Sequence, residues 1–262
     1  METHKRKGNK LFFLSNCYFT ISPYYAPFIS ILMVMTLPVI FLIFSSLSPS
    51  VLLIFLSFFI LTILLYFVLI FSDPGILKFP IDSLSPPQPE PAIQLKPFSL
   101  RGSNAKLSFL YCRVCEAILP NKAFHCIYCN VCVDHYESHS FIVNNCIGKN
   151  NRGTFLFFLV IKFIMNSMVA VISLQSLVEM KKIQWIAMAV VSTFSATFYL
   201  MLAALQVWTL GTQQTRALMS NIVFEPVEGN HNGFLTNLWR GILSIDDTLT
   251  DNDDQTFGVV LK

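Results

Sequence analysis

The chain has 262 residues, of which 54% are hydrophobic and only 13% charged, with 25 Phe among them. A soluble domain carries about 25% charged residues, so this composition excludes an ordinary water-soluble globular protein and points to a membrane protein. The net charge of +3 is too small to suggest nucleic-acid binding by itself, since phosphate recognition calls for a concentrated basic face.

Residues 1–26 read as a cytosolic segment, since Lys5, Arg6, Lys7 and Lys10 suit anionic lipid and Leu11–Leu14 is too short for a signal peptide. Cys17, beside the membrane, is a candidate for acylation. Residues 27–47 and 51–71 lack charge, and as helices each spans about 31 Å, the thickness of the hydrocarbon core. They form a first hairpin through Ser48-Pro49-Ser50, and Asp73-Pro74-Gly75 ends the second helix. Residues 72–108, rich in Pro, read as an extended cytosolic linker. A third span is expected over 155–178 and a fourth over 185–208, followed by a cytosolic tail, 209–262, with an acidic run at its end. Lys162 is expected to snorkel to the interface. Twelve Lys and Arg flank the first pair of helices against two, Lys181 and Lys182, between the second pair, which places both termini and the region 109–153 in the cytosol.

Six of the seven cysteines lie between Cys112 and Cys146. Cytosolic thiols are kept reduced, so metal binding is the expected use of this cluster. Cys112, Cys115, His125, Cys126, Cys129, Cys132, His139 and Cys146 supply eight ligands, enough for two tetrahedral Zn²⁺ ions with a structural role. Adjacent side chains of an extended strand point to opposite faces, so His125 and Cys126 serve different ions. An interleaved arrangement satisfies that split: Cys112, Cys115, His125 and Cys132 for one ion, Cys126, Cys129, His139 and Cys146 for the other. Spacing alone leaves other pairings open.

The Cys-x2-Cys step, Pro120, the His125-Cys126 pair, Cys129, Cys132, Asn144-Asn145-Cys146-Ile147-Gly148, Asn151 and Phe155 together resemble the cysteine-rich domain of the DHHC protein S-acyltransferases. Asp73-Pro74-Gly75 resembles that family's Asp-Pro-Gly motif, and Asn237 its carboxy-terminal Asn motif. The resemblance implies an all-α polytopic membrane protein of four transmembrane helices, with a cytosolic two-zinc module between the second and third and the interleaved ligand pairing above. It also implies a bundle cavity for the chain of a fatty acyl-CoA, and transfer of that chain through a cysteine to client membrane proteins. Lys122 and Lys149 are candidates for the CoA phosphates. An endomembrane, of the endoplasmic reticulum or Golgi, or the plasma membrane is the implied location.

The tetrapeptide that gives the family its name corresponds here to Glu137-Ser138-His139-Ser140. His139 keeps the metal-ligating histidine, whereas Ser138 replaces the activating histidine and Ser140 the nucleophilic cysteine. Asp134-His135 resembles the motif's start but lies three residues early. Phe141-Ile142 stands where the family has Pro-Trp, and Thr212-Gln213-Gln214-Thr215 matches its Thr-Thr-x-Glu motif only in part. A cysteine with a pKa near 8.5 offers some thiolate at neutral pH, whereas a serine hydroxyl needs a positioned base. The expectation is therefore a catalytically inactive or impaired palmitoyltransferase relative that acts by binding palmitoyl-CoA, client proteins or an active family member. The alternative is an active acyltransferase that works through Ser140 with Glu137 or His135 as base. A zinc transporter is disfavoured, because the spans lack a path of carboxylates or histidines.

Overall fold

The computed structural model describes residues 6–7, 10–14, 17–20, 36–43, 45, 47–77, 93–99, 106–120, 122–212 and 233–243. Three short antiparallel strands come first, β1 (Arg6–Lys7), β2 (Lys10–Leu14) and β3 (Cys17–Thr20). Of the span expected over 27–47, residues 36–43 form a helix, α1, and 27–35 lie outside the described residues. Among the described residues, three helices are long and apolar enough to cross a membrane: α2 (Pro49–Phe71), α3 (Arg152–Met180) and α4 (Ile183–Thr212). A shorter helix, α5 (Phe234–Leu243), follows. The acidic run near the end and Gln213-Gln214-Thr215 lie outside the described residues.

Each long helix has a local reason for its limits. Pro49 opens α2, where its missing N–H is no loss. Helix α3 closes on Lys181 in the left-handed region at φ 53°, its N–H donating to Leu177 O at 2.9 Å. After the single residue Lys182 the chain reverses into α4, so the two form a tight antiparallel pair. Both helices extend past the apolar runs 155–178 and 185–208, because the polar residues at their ends continue the backbone ladder.

That extension changes the place of Lys162. It lies ten residues into α3, about 15 Å along the axis, and is 1% exposed, with its Nζ 5.4 Å from the centre of the Tyr199 ring on α4. The expected snorkelling does not occur: at that depth the side chain turns to an aromatic face inside the bundle instead of reaching for the interface.

Around the cysteines the chain is not helical. Strand β4 (Ile93–Ser99), within the segment expected to be an extended linker, pairs antiparallel with β5 (Lys106–Cys112), and β5 pairs with β6 (Ala117–Leu119). Two further hairpins follow, β7 (Phe124–Cys126) with β8 (Val131–Val133) and β9 (Ser138–Ser140) with β10 (Asn145–Ile147). Short strands suit a region whose core is thiolate clusters and small apolar groups rather than packed helix faces.

The module is fastened to the helices by buried amides. Asn145 Nδ2 donates to Leu69 O at 2.8 Å and Ser72 O at 2.9 Å, capturing carbonyls left over at the end of α2. Asn151 Nδ2 donates to Ser72 Oγ at 3.1 Å and to Cys146 O at 2.9 Å. The Asp73-Pro74-Gly75 turn is closed by Asp73 Oδ1, which accepts from the N–H groups of Gly75 and Ile76, both at 2.9 Å. Gly75 adopts φ 101°, which a side chain would strain, and its carbonyl accepts from Asp134 N at 2.9 Å. Val143 and Ile147 complete the seam by packing among Tyr66, Leu69, Ile70, Phe155 and Leu210. Helix α5 covers the same end of the bundle: Asn237 Nδ2 donates to Gly211 O at 3.2 Å, and Gly153 lies so close to Ile242 O that no side chain fits between them.

Replacing Asn145 with Ala strands these carbonyls in a buried seam, at a cost of about 2 kcal/mol or more. The expected result is a clearly lower thermal unfolding midpoint in detergent, read by intrinsic fluorescence; an unchanged midpoint would contradict the fastening role.

Candidate metal centre

The three hairpins repeat with a period of fourteen residues. Cys112, Cys126 and Ser140 each end the first strand of a hairpin, facing Ala117, Val131 and Asn145 across the pair. Glu116, Asn130 and Asn144 each take a left-handed backbone, at φ 49°, 51° and 46°, where the turn swings into its second strand. His125 and His139 occupy one repeat position and Cys132 and Cys146 another, each His directly opposite its Cys across the ladder.

This repeat builds two ligand sets by the same rule. A turn supplies two cysteines of a Cys-x2-Cys knuckle, and the next hairpin supplies a facing His–Cys pair. The first set is Cys112, Cys115, His125 and Cys132, the second Cys126, Cys129, His139 and Cys146, and within each the ligand atoms lie within 4.8 Å of one another. In the first, His125 Nδ1 is 3.6, 3.4 and 3.6 Å from the sulfurs of Cys112, Cys115 and Cys132. In the second, His139 Nδ1 is 3.8, 3.4 and 3.9 Å from those of Cys126, Cys129 and Cys146. A tetrahedral ion with metal–sulfur bonds of about 2.3 Å and a metal–nitrogen bond of about 2.0 Å needs edges of roughly 3.5–3.8 Å. The donor sets fit such an ion. They do not fit disulfides, since the Cys115–Cys132 and Cys129–Cys146 sulfurs are 3.3 Å apart against about 2.05 Å for a bond.

The electrostatics agree with the geometry. Hydrogen bonds from Cys115 and Cys132 hold Cys112 far below the usual thiol range, and bonds from Cys129 and Cys146 do the same for Cys126. Burial works against the His125 imidazolium, yet Cys112 and Cys115 raise it to about 10. In the first set the thiols divide, Cys132 being pushed up by its bonds to Cys112 and Cys115 and by burial; a divalent cation at the centre would let all three sulfurs ionise and leave the imidazole neutral. Tyr136, packed against the second cluster, is pushed up by burial and by the charges of Cys126 and Cys146.

Ser140 belongs to a third knuckle that has no ligand set. The position that repeats Cys115 and Cys129 is Val143, which packs in the helical core. Ser140 itself is buried at 8% exposure, and among the described residues its side chain makes no hydrogen bond. Ser138 and Ser140 flank His139 in β9 and so lie on the face opposite the metal ligand.

The other sequence candidates are scattered around this hairpin. Glu137 is 4% exposed, and its Oε2 accepts from Thr209 Oγ1 of α4 at 3.4 Å, a partner that lies outside the motif and carries no signal in the local sequence. His135 Nδ1 is 2.9 Å from Asp134 Oδ1. Burial disfavours the Asp134 carboxylate, but His135 and Lys149 more than offset it and hold the carboxyl below its usual range. Lys149 Nζ is 3.4 Å from Asp134 Oδ2, so this lysine already has a carboxylate partner. Lys122 is half-buried at a left-handed turn, φ 68°, its carbonyl accepting from Tyr136 N at 3.0 Å. The structure therefore brings Ser138, His139 and Ser140 together in β9 and sets Glu137 beside α4, while His135 and Lys149 meet at Asp134.

Residues 106–223 match the family model for the DHHC palmitoyltransferase. The domain belongs to the DHHC palmitoyltransferase family. Among curated relatives, palmitoyltransferase ERF2 of Kluyveromyces lactis is 33% identical over 116 residues, covering 43% of this chain and 32% of the relative. Palmitoyltransferase erf2 of Schizosaccharomyces pombe is 31% identical over 152 residues, covering 53% and 43%. Palmitoyltransferase ZDHHC9 of Homo sapiens is 30% identical over 103 residues, covering 34% and 28%. The chain thus spans about a third of the length of the relatives it matches, and less than half in each case.

Because the DHHC domain's two ligand sets share no residue, each can be emptied separately. Cys115→Ser is expected to halve the metal bound per chain, measured by plasma mass spectrometry, and Cys129→Ser to do the same. Acidification is expected to release metal as thiolates and imidazoles take up protons. Metal retained at full occupancy well below pH 4 would contradict a thiolate–imidazole site.

Proposed function

We propose that this chain is a multi-pass membrane protein of the palmitoyltransferase family whose DHHC domain keeps its structural zinc sites and has lost its acyl-transfer chemistry. The observation that carries the reading is the contrast within β9: His139 sits in a complete ligand set, while Ser138 and Ser140 beside it offer no imidazole and no thiol. Four spans are the proposed topology, 27–47 completing the bundle of α2, α3 and α4, with the module and both termini on the cytosolic side.

Zn²⁺ is the ion that suits three thiolates and one imidazole in a tetrahedron, and when bound it supplies a rigid fold rather than a Lewis acid. Within that fold, position 140 is the one knuckle-opening position with no partner ligands. A cysteine there is not sequestered by metal, and a histidine at 138 lies on the same strand face to withdraw its proton. Ser140 occupies that position, buried and without the ionisable group. Glu137 is engaged with Thr209 and His135 with Asp134, so among the described residues both candidate bases have partners other than the hydroxyl. In a serine protease, losing either the nucleophile or its base costs on the order of 10⁶ in turnover.

The retained parts point to binding. A fatty acyl-CoA in the bundle, a client membrane protein, or an active family member are the proposed partners, with Lys122 and Lys149 as candidate contacts for the CoA phosphates, the latter by exchanging its carboxylate partner for phosphate.

The restoration variant Ser138→His with Ser140→Cys tests both halves of this reading. Purified in detergent and given labelled palmitoyl-CoA, it is expected to take up label at least 100-fold faster than the unaltered chain, in a bond that neutral hydroxylamine cleaves. If the unaltered chain labels as fast, through a hydroxylamine-resistant ester lost in Ser140→Ala, then Ser140 is a working nucleophile and the proposal fails.

A further inference from the structure

The fourteen-residue repeat places three side chains in equivalent positions at the hairpin tips: Arg113, Ile127 and Phe141 each follow the residue that ends the first strand. All three point outward, Ile127 at 71% and Phe141 at 57% exposure. The geometry of the tip therefore does not demand an apolar residue, since the first hairpin carries Arg113 there. The second and third tips nevertheless present bulky apolar groups, and Tyr128 joins them into one patch. Its ring centre lies 5.2 Å from that of Phe141, and both rings rest on His139, at 5.0 and 5.4 Å. The patch is stiff, because Ile127 and Tyr128 sit between two cysteines of the second ligand set and Phe141 follows its histidine by two residues.

The level of this patch relative to the helices is fixed by its neighbours in the chain. Ile142 and Val143, the two residues after Phe141, pack against Tyr66, Leu69 and Ile70 in the last turns of α2, Phe155 and Leu156 in the first turns of α3, and Leu210 in the last turns of α4. Those are all ends of apolar helices on one side of the bundle. On that same end of α2, Phe67 and Phe71 stand exposed and stacked, ring centres 6.4 Å apart, the kind of aromatic band found where helices leave the hydrocarbon. The patch therefore lies at the same end of the bundle as these exposed rings, next in the chain to residues packed on the helix ends, the level where aromatic rings are preferred.

We propose that Ile127, Tyr128 and Phe141 insert into the boundary between headgroups and acyl chains of the bilayer, holding the metal module down against the lipid surface. The Arg113 tip stays in water. This proposal rests on the reading that α2, α3 and α4 span a bilayer, and it adds a lipid contact made by the module itself. Occupation of the patch by a second copy or by a partner protein is the competing outcome.

The test places a benzophenone amino acid singly at positions 113, 127, 141 and 194 of the full chain, reconstituted in vesicles that contain an alkyne-tagged phosphatidylcholine. Phe194 lies within α4 at 75% exposure and reports the spanning reading. Metal content equal to that of the unaltered chain confirms a folded module in each variant. After illumination, lipid adducts are expected at 194, 127 and 141, and at least fivefold less at 113. Adducts at 194 with yields at 127 and 141 no higher than at 113 would overturn the proposal while leaving the spanning helices standing. No lipid adduct at 194 would overturn both. Protein adducts at 141 in place of lipid would overturn it and assign the patch to a protein partner.

Discussion

Tetrahedral closure by ligands from two successive hairpins is the constraint on which the rest of this domain depends. A hairpin of three-residue strands has almost no apolar surface to bury and is not stable alone. Joining the knuckle of one hairpin to the facing His–Cys pair of the next converts three such hairpins into one body. The same step gathers three sulfurs and an imidazole nitrogen within 4.8 Å of one another, where a positive ion would allow the thiols to ionise together. Packing, electrostatics and fold are here one interaction: the ligands are the core, and clusters such as Cys112, Val114, Leu119, Ala123 and Cys132 fill the space around them.

The terminal hairpin is where the repeat stops being structural and becomes available for chemistry. It lends His139 and Cys146 to the second ligand set, and its own knuckle completes no set. Val143, which takes the place of a second knuckle cysteine, goes instead into the helical core. Position 140 is thereby held rigidly at the junction of module and bundle. In the family's pattern a cysteine stands there, and the metal scaffold can survive its replacement because that cysteine is not one of the eight ligands. This explains how Ser138 and Ser140 coexist with two complete donor sets.

Much of this was legible in the sequence because ligand chemistry is unforgiving about spacing. The eight candidate ligands were readable from the Cys-x2-Cys steps, and the separation of His125 from Cys126 from their adjacency, whereas spacing alone left the full pairing open. The long apolar runs marked three helices, since a run of that length without charge has few other uses. The fourteen-residue repeat was equally present, in Cys112 and Cys126, His125 and His139, Cys132 and Cys146, but its third copy shows only at the level of strand pairing and left-handed turns. Contacts between distant segments carry no local signal. Asn145 capping α2, Thr209 reaching Glu137, Asn237 at Gly211 and Ile93–Ser99 pairing with β5 depend on tertiary placement. Lys162 was misplaced for a related reason: its depth is set by where α3 begins and by the Tyr199 ring on another helix.

We propose two separate three-thiolate, one-imidazole zinc sites in a chain whose tetrapeptide, Glu137-Ser138-His139-Ser140, contains no cysteine. Zinc-edge X-ray absorption on the unaltered, metal-quantified protein tests it most directly. The expected result is two zinc ions per chain with an average shell of three sulfurs at about 2.3 Å and one nitrogen at about 2.0 Å. Fewer than two ions, or an average shell of four sulfurs or of two sulfurs and two nitrogens, would contradict it.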